Sequence, residues 1–396
     1  MPGPPRPQDP ARAHFGARLR HWRRVRGLSQ AALGRELRYD HTFLSKIESG
    51  SRRPTRELAE RADRLLETDG ELTALWARER RTAPAAPGPP TSMPGTDAAE
   101  AMDRLLQAYT RTMAEVGGRD LIVPLEHHAR TIMRWWSGAP GATSTALLVL
   151  AAGFAEAAGW AWLDGENDRA AALSWCEAGY QWATLARDPQ LSARLLVRQS
   201  IVHLSTGDPE TAIALAGAAS RVEGLGPRTR AWAVLAEARA HAAVADARAC
   251  ERSLAVAERL LAHHDPADEP WTAGITDSVF ALNAGTCYRD LALRGGTAFA
   301  GRSVEHVSRS LDEVPAVSEH DRVLVTIRLA GALACADQPE DAAGVLSDLL
   351  SASAGLRGWP RIGTELRAVQ VHLATRWPAV GAVRELSDQV RSASPR

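Results

Sequence analysis

A stretch rich in proline and glycine, residues 82–97 (TAPAAPGPPTSMPGTD), divides the chain into two unequal parts. Proline interrupts helices, and this stretch has almost no charge and little apolar surface to bury, so we predict a semi-extended linker. The linker separates a tail at 1–11 and a small domain at 12–81 from a larger domain at 98–396. Two or three domains agree with the length of 396 residues.

The overall charge balance conceals a difference between the two parts. The chain has 47 basic and 47 acidic residues, but Met1 to Thr82 holds 18 basic and 11 acidic ones. This part therefore carries a net charge of +7, and the remainder carries −7. A small basic domain joined to an acidic one favours contact of the first with a polyanion. A solvated arginine-rich face is the alternative explanation of the charge.

The composition indicates neither export nor insertion into a membrane. The four cysteines are far apart in the sequence and form no CxxC motif, which is typical of reduced thiols in a cytosolic protein. We expect no apolar run of the 18 or more residues that a membrane span needs. Prolines occupy the N-terminal stretch where a signal peptide would be apolar. We therefore expect a cytoplasmic protein; its 46 arginines and single lysine suggest a high-GC genome, such as an actinomycete's.

Five short helical patterns follow one another in the basic domain. The second pattern covers 30–37, with Ser29 as its N-cap, and the third begins at His41. Only residues 38–40 separate these two helices, and helices joined by so tight a turn cannot lie antiparallel. The later helix therefore projects from the body of the domain, as in a helix-turn-helix that enters the major groove of DNA.

Three segments of this domain, LSQAAL (28–33), LSKIESG (44–50) and RRP (52–54), resemble the XRE family of lambda-repressor-like DNA-binding domains. The resemblance extends without a gap from about Phe15 to Leu66. Two positions depart from the family pattern, which usually has alanine at Gly34 and glycine at Arg38. The resemblance implies a five-helix domain that binds a double-stranded DNA operator.

The resemblance also assigns roles to individual residues. Positions that read bases in the family are occupied by His41, Thr42, Ser45 and Lys46. Positions that hold phosphates are occupied by Ser29, Gln30, Arg52 and Arg53. A solvated surface amine is the alternative for Lys46. Arg23 and Glu48 match a pair that forms an internal salt bridge in the family, so we favour a structural role for Arg23.

Alanine-rich helical runs fill the chain beyond Asp97, with no convincing strand. Similar breaks punctuate them at 164–167, 207–210, 244–246 and 337–340. A turn followed by an alanine-rich helix is typical of a helical hairpin in a repeat array. From about Thr143 to Val390 the pattern resembles degenerate tetratricopeptide-like repeats, which stack into a curved solenoid. The predicted fold is all-α: a helix-turn-helix domain, a proline-rich linker and a C-terminal α-solenoid of helical hairpins.

Catalytic and metal-binding patterns are not evident in the sequence. It contains no GxSxG, HExxH, Walker or dinucleotide motif, so we predict a protein that is not an enzyme and has no cofactor. The pairs His127-His128 and His263-His264 do not predict a metal site, because adjacent helical residues point about 100° apart. We interpret Asp164 and Glu166 as parts of a turn rather than as an acid/base pair.

Two groups of residues in the repeats are candidates for a ligand pocket. Aromatic rings concentrate between 160 and 182, where they either fill a hairpin core or line a pocket. Asn283 lies inside the predicted helix 276–293, where asparagine is unfavourable, and nearby arginines could bind a ligand carboxylate. Solvated or intramolecular roles are the alternative for each polar residue. The candidate pocket residues are Trp160, Trp175, Trp182, Arg194, Arg198, Arg239 and Asn283.

The order of the two domains resembles bacterial regulators in which an XRE-type domain precedes a tetratricopeptide-like sensor. The resemblance implies a homodimeric transcriptional regulator that binds an inverted-repeat operator and responds to a signalling peptide or a small-molecule effector. The alternative is a DNA-binding regulator whose repeats dock a protein partner. An enzyme with a helical domain is a third alternative, without a catalytic motif to support it.

Overall fold

The computed structural model describes residues 15–37, 39–48, 54–82, 96–137, 139–262, 274–314, 319–352 and 359–393. Every regular element in these ranges is a helix, so the prediction of an all-α fold is confirmed. The chain separates into an N-terminal unit, Met1–Thr91, and a repeat unit, Ser92–Arg396. The boundary falls within the stretch interpreted as a linker, of which residues 83–95 lie outside the described ranges.

The N-terminal unit contains the five expected helices. They are α1 (Phe15–Val25), α2 (Gln30–Leu37), α3 (His41–Glu48), α4 (Arg56–Leu66) and α5 (Glu71–Thr82). Helices this short are marginal in isolation, so their stability comes from a shared core. Its fully buried side chains include Phe15, Leu19, Leu33, Leu37, Leu44, Ile47, Leu58, Leu66 and Leu72.

A buried carboxylate on α4 holds the start of α5. Asp63 accepts hydrogen bonds from the backbone N–H groups of Leu72 and Thr73, at 2.9 and 2.8 Å, and one from the hydroxyl of Thr68. Burial alone would raise the pKa of Asp63, but these hydrogen bonds to its ionised form lower it below the usual value. The two helices are therefore joined by a polar contact as well as by the core.

The repeat unit is a succession of helical hairpins. It begins with α6 (Thr96–Val116) and α7 (Ile122–Trp136), with a 3-10 turn at Arg119–Leu121 between them. Six hairpins follow: α8 (Gly141–Gly165) with α9 (Arg169–Ala186), α10 (Pro189–Ser205) with α11 (Pro209–Ser220), α12 (Pro227–Ala243) with α13 (Ala247–Leu261), α14 (Asp277–Leu293) with α15 (Ala300–Glu313), α16 (Glu319–Cys335) with α17 (Pro339–Ala352), and α18 (Pro360–Arg376) with α19 (Gly381–Ala393). The predicted array of tetratricopeptide-like hairpins is confirmed.

The turns inside five of these hairpins share one backbone feature. Each contains a residue with positive φ: Asn167, Gly207, Ala245, Gly295 and Asp337. In three of the turns, the next residue is an aspartate that caps the following helix: Asp168, Asp208 and Asp246 accept backbone N–H bonds at 3.0, 3.1 and 2.9 Å. All four sequence breaks fall at such turns. The turn at 294–296 lacks a capping aspartate, and the sequence did not indicate it.

Small residues let neighbouring helices approach closely. A β-carbon at Gly159 on α8 would lie 2.7 Å from the Sγ of Cys176 on α9. A β-carbon at Gly118 would lie 2.6 Å from the Cα of Ala161. Both distances are shorter than real β-carbon contacts, so a larger residue at either position would displace its neighbour.

The apolar helix α8 corrects the expectation about membrane spans. One 18-residue window within it has a mean hydropathy of 1.6 and at most two charged residues, which is enough to cross a membrane by length and composition. The expectation that no stretch reaches this length is therefore wrong. In the structure, 72% of the window is buried inside the repeat unit, which is the behaviour of a core helix.

Asp164 also requires a correction, because it belongs to the last turn of α8 and not to the turn that follows. It is 1% exposed and accepts a hydrogen bond from the backbone N–H of Gly118 at 3.2 Å. The Nη1 of Arg361 on α18 lies 3.1 Å from its Oδ1, and the Nε2 of His320 on α16 lies 3.1 Å from its Oδ2. We name these three residues, Asp164, His320 and Arg361, the closure cluster, because they join the first hairpin to the last two.

A tryptophan completes this closure. The Nε1 of Trp359, directly before α18, donates to the backbone carbonyl of Val116 at 2.9 Å. Its ring meets the ring of His320 edge to face, with centroids 5.0 Å apart. The start and the end of the repeat unit are therefore in direct contact.

The cysteines are free thiols in the structure. Cys176, Cys250 and Cys287 are buried and Cys335 is half-buried. Burial raises the pKa of Cys176 to about 12, so this thiol stays protonated and unreactive at neutral pH.

Candidate nucleic-acid interface and ligand cavity

Helices α2 and α3 form the pair expected of a helix-turn-helix. Ser29 caps α2, as predicted, because its hydroxyl accepts a hydrogen bond from the backbone N–H of Ala32 at 3.0 Å. The backbone N–H of Tyr39 donates to the carbonyl of Gly34 at 2.9 Å, which closes the end of α2. Leu44 and Ile47 fix α3 to the core.

A buried carboxylate at the end of α3 fixes the orientation of this helix. Glu48 accepts two hydrogen bonds from Arg23 on α1, at 2.5 and 2.9 Å, so the expected salt bridge is confirmed. It accepts a third, at 2.8 Å, from the amide Nε2 of Gln30 on α2. Burial by itself raises the pKa of Glu48, but the contacts with Arg23 and Gln30 lower it below its ordinary value. The carboxylate of Glu48 therefore links α3 to both α1 and α2.

The structure places the predicted DNA-contacting residues only in part. Ser45 is exposed on α3, on the side away from the buried Leu44 and Ile47. The backbones of His41, Thr42 and Lys46 belong to α3, but their side chains lie outside the described part of the structure, as do Arg52 and Arg53 entirely. Sequence reasoning missed the bond between Gln30 and Glu48, which engages one end of the Gln30 amide.

In the repeat unit, mainly the first helices of the hairpins line a partly open cavity of about 620 Å³. Helices α8, α10 and α12 contribute mainly apolar side chains, among them Leu163, Ile201, Leu204, Trp232 and Leu235. Helices α14, α16 and α18 contribute most of the charged ones. A mostly apolar cavity with a few polar groups is the usual form of a small-molecule site.

Two of the sequence-predicted pocket residues line this cavity and contact each other. The Nη1 of Arg239 on α12 donates to the Oδ1 of Asn283 on α14 at 3.3 Å. The Nδ2 of Asn283 donates to the backbone carbonyl of Val279, one turn earlier, at 2.8 Å. Asparagine is tolerated inside this helix because both ends of its amide have partners: the nitrogen bonds the carbonyl of Val279, and the oxygen accepts from Arg239.

The three predicted tryptophans do not line the cavity. Trp175 donates from its Nε1 to the Oε1 of Glu126 at 2.9 Å, and Trp162 donates to the same atom at 2.7 Å. Trp182 packs on the apolar cluster that joins α8, α9 and α10. The ring of Trp160 lies beneath the guanidinium of Arg361, 4.8 Å from its centroid. These positions agree with the alternative that the rings belong to hairpin cores.

Arg194 and Arg198 also have partners inside the repeat unit. Both form ion pairs with Glu156, a carboxylate on α8 that is 3% exposed. The guanidinium of Arg198 lies between two rings, 4.3 Å from the centroid of Trp160 and 4.7 Å from that of Trp232. Their roles in this structure are therefore intramolecular, and only Trp232 of this group lines the cavity.

Sequence reasoning missed the charged residues that meet in the cavity. Arg328 on α16 donates two hydrogen bonds to Glu365 on α18, both at 3.0 Å. Loss of hydration by itself would raise the pKa of Glu365, but Arg328 and two further arginines hold it far below the usual value. These residues are spread over separate hairpins, and no local pattern in the sequence connects them.

Comparison with known protein families gives a match in the N-terminal unit. Residues 14–76 match the family model of a helix-turn-helix domain. No curated protein matches the chain. One solved structure, of Bacillus thuringiensis PlcR in complex with the peptide PapR7 and DNA, is similar with 12% identity and a TM-score of 0.31, covering 91% of this chain and 99% of PlcR. Residues 14–76, which contain the α2–α3 pair and the Arg23–Glu48 salt bridge, therefore form a helix-turn-helix domain of the DNA-binding class.

Proposed function

We propose that this chain is a cytoplasmic, homodimeric, sequence-specific transcriptional regulator whose repeat unit senses a signalling peptide or a small molecule. The observation that carries the proposal is the α2–α3 pair, held by Glu48 and Arg23, within a segment that matches a helix-turn-helix family. A helix-turn-helix domain acts by binding a DNA site and not by catalysing a reaction.

In this proposal α3 enters the major groove. Lys46 donates to the O6 or N7 of a guanine, while His41, Thr42 and Ser45 contact neighbouring base edges. Ser29, Gln30, the first amides of α2 and the pair Arg52 and Arg53 hold phosphates, which positions the domain without reading sequence. Two copies of the domain would bind half-sites about one helical turn apart, which produces an inverted repeat.

The cavity supports the sensing part of the proposal. Its volume of about 620 Å³ lies within the range of roughly 300–1,000 Å³ that is typical of ligand sites. A bound ligand would favour one arrangement of the two repeat units in a dimer and so change the spacing of the DNA-binding domains. The volume also favours a small ligand over a docked protein, whose interface would be a broader surface.

The test is selection of genomic DNA fragments by the purified full-length chain at one fixed salt concentration. Salt must be fixed because phosphate contacts make the affinity depend steeply on ionic strength. We expect a short inverted repeat among the retained fragments. Retention without any shared sequence, both with the protein alone and with cell extract added as a source of ligand, would contradict sequence-specific regulation.

A triple variant tests the assignment of α3 in the same experiment. His41→Ala, Thr42→Ala and Lys46→Ala together should abolish or change the selected sequence. The control is Arg64→Ala, which removes an exposed cation from α4 and should leave the selected sequence unchanged. An identical sequence with the triple variant would refute the role of α3 as the recognition helix.

A further inference from the structure

Arginine dominates the charged lining of the cavity. Six arginines line it, namely Arg169, Arg239, Arg289, Arg294, Arg328 and Arg361, against two carboxylates, Asp290 and Glu365. Cations in a partly desolvated site are costly unless acidic groups compensate them. The two carboxylates of the lining therefore cannot compensate all six arginines.

Three of the six arginines are paired with carboxylates. Arg328 binds Glu365 through two hydrogen bonds, and Arg289 binds its neighbour Asp290 through its Nε and Nη2 at 3.0 and 2.7 Å. Arg361 binds Asp164 in the closure cluster at 3.1 Å. These pairs use the acidic groups at the cavity and leave none for a fourth arginine.

Among the six cavity arginines, Arg169, Arg239 and Arg294 have no carboxylate partner in the described part of the chain. Arg294 is exposed and Arg169 donates to the hydroxyl of Ser205, which leaves Arg239. Among the described residues, no carboxylate lies within ion-pair distance of it, and its hydrogen bond at 3.3 Å is to the neutral amide oxygen of Asn283. Its Nε atom is buried and has no hydrogen-bond partner in the described part of the chain. Its charge also contributes to lowering the pKa of Arg328, after the larger effect of burial. An anion beside Arg239 would relieve both effects.

The apolar part of the cavity lies next to this cation along the same helix. Trp232 precedes Arg239 by seven residues on α12, so both lie on one face, about 10 Å apart along the helix axis. Leu163, Ile201 and Leu204 from the neighbouring helices extend the apolar lining. A molecule that contacts both ends therefore needs an apolar body of about this length.

We infer that the cavity binds an amphiphilic anion, a small molecule whose carboxylate or phosphate group binds Arg239 and whose apolar body lies against Trp232. This inference rests on the proposed sensing function and specifies its ligand class. Asn283 contributes a positioning contact, since its oxygen orients the guanidinium. Carboxylate and phosphate share the chemistry that arginine recognises, and displacement experiments distinguish the two.

The test uses a pair of fluorescent probes that differ in one charged group. Anilinonaphthalene sulfonate has an apolar body and an anionic group, and N-phenylnaphthylamine is its uncharged counterpart. Titrated into the full-length chain, the sulfonate should bind about tenfold or more tightly than the neutral probe, because the latter cannot pair with Arg239. Equal affinities for the two probes would overturn the inference without any need for a variant.

Two substitutions locate the binding. Arg239→Gln should weaken binding of the sulfonate probe by about tenfold or more and leave the neutral probe unchanged. Asn283→Asp places a carboxylate beside Arg239, so it should weaken binding of the sulfonate probe to a similar extent. Arg384→Gln, an exposed arginine on α19, is the control and should change neither. Unchanged sulfonate affinity in either cavity variant would overturn the inference.

Displacement of the bound sulfonate probe distinguishes the natural anionic groups. Octanoate and octyl phosphate should displace it, and the more effective of the two identifies the preferred group, whereas octanol should fail. Equal displacement by octanol would overturn the inference. DNA selection is measured separately with Arg239→Gln and with the wild-type chain. If Arg239→Gln loses anion binding but still selects the operator, the effect concerns only the cavity. If the wild-type chain selects no operator, the failure concerns only the proposed DNA function.

Discussion

Glu48 is the residue on which the position of α3 depends. Glu48 is 6% exposed, and its carboxylate receives two hydrogen bonds from Arg23 on α1 and one from Gln30 on α2. Removing the charge of a buried, paired carboxylate leaves the opposite guanidinium without compensation, which costs more than the pair itself contributes. The effect of its loss should therefore be local to the N-terminal unit and large.

Glu48→Gln should destabilise the N-terminal unit by about 3 kcal/mol, because it leaves Arg23 buried without its counter-ion. The measurement is native-state hydrogen exchange of the α1–α3 amides in the full-length chain. Glu57→Gln, which breaks an exposed ion pair with Arg61, is the control and should cost less than about 0.5 kcal/mol. Similar losses of protection in both variants would refute the role of Glu48.

Lys46 and Arg53 should have different effects on DNA binding. Lys46→Ala should cost about 1–3 kcal/mol on the selected operator and relax the preference at one base pair. Arg53→Ala should weaken binding to all sequences alike and reduce the salt dependence, because it removes a phosphate contact. Titration of operator variants at several salt concentrations measures both. A loss of base preference with Arg53→Ala would contradict the assignment.

At the scale of elements, the hairpin turns show how far the sequence predicts this fold. Four turns were predictable because, within two positions of the left-handed residue, an aspartate caps the next helix or a proline begins it. The turn at Gly295 leads into a 3-10 turn at Thr297–Phe299 with no side-chain cap, so it has no such signal. Arg239 and Asn283 were predictable individually from their residue types. Their meeting with Arg328 and Glu365 was not, because it depends on how successive hairpins stack.

The turn at Ala245 provides a matched test of backbone strain. Ala245 has φ 61°, where a β-carbon is unfavourable, so Ala245→Gly should stabilise the repeat unit by up to about 1 kcal/mol. The same substitution at Ala255, an exposed position inside α13, should destabilise it by about 1 kcal/mol. Urea unfolding of the full-length chain measures both changes. Effects of the same sign would contradict the explanation.

At the scale of the whole molecule, the closure cluster makes the stability of the repeat unit depend on pH. Burial by itself lowers the pKa of His320, but Asp164 and Asp321 raise it to about 9. Burial raises the pKa of Asp164, and His320 and Arg361 lower it below the usual value. The contribution of protonated His320 to the stability of the folded repeat unit is complete below pH 6.5, the pKa of histidine in the unfolded chain. It is lost as the pH rises through about 9, the pKa of His320 in the folded chain. That of Asp164 is lost only in acid.

Between about pH 6.5 and pH 9 the repeat unit should therefore lose about 3 kcal/mol of stability as His320 releases its proton. Urea unfolding at a series of pH values measures this slope, and His320→Gln should remove it. The control is His372→Gln: burial and Arg376 lower the pKa of His372, so its titration ends before the alkaline range. An alkaline slope that survives in His320→Gln would contradict this role of the cluster.

Closure also has a consequence for the order in which the chain folds during synthesis. An open array of repeats gains stability from adjacent repeats only, so its first hairpins can fold while later ones are still being made. Here Asp164 and Arg361 are separated by 197 positions, so the buried carboxylate of the first hairpin meets this cationic partner only after α18 has been synthesised. The first hairpin therefore reaches its final environment only when the array has been synthesised as far as α18.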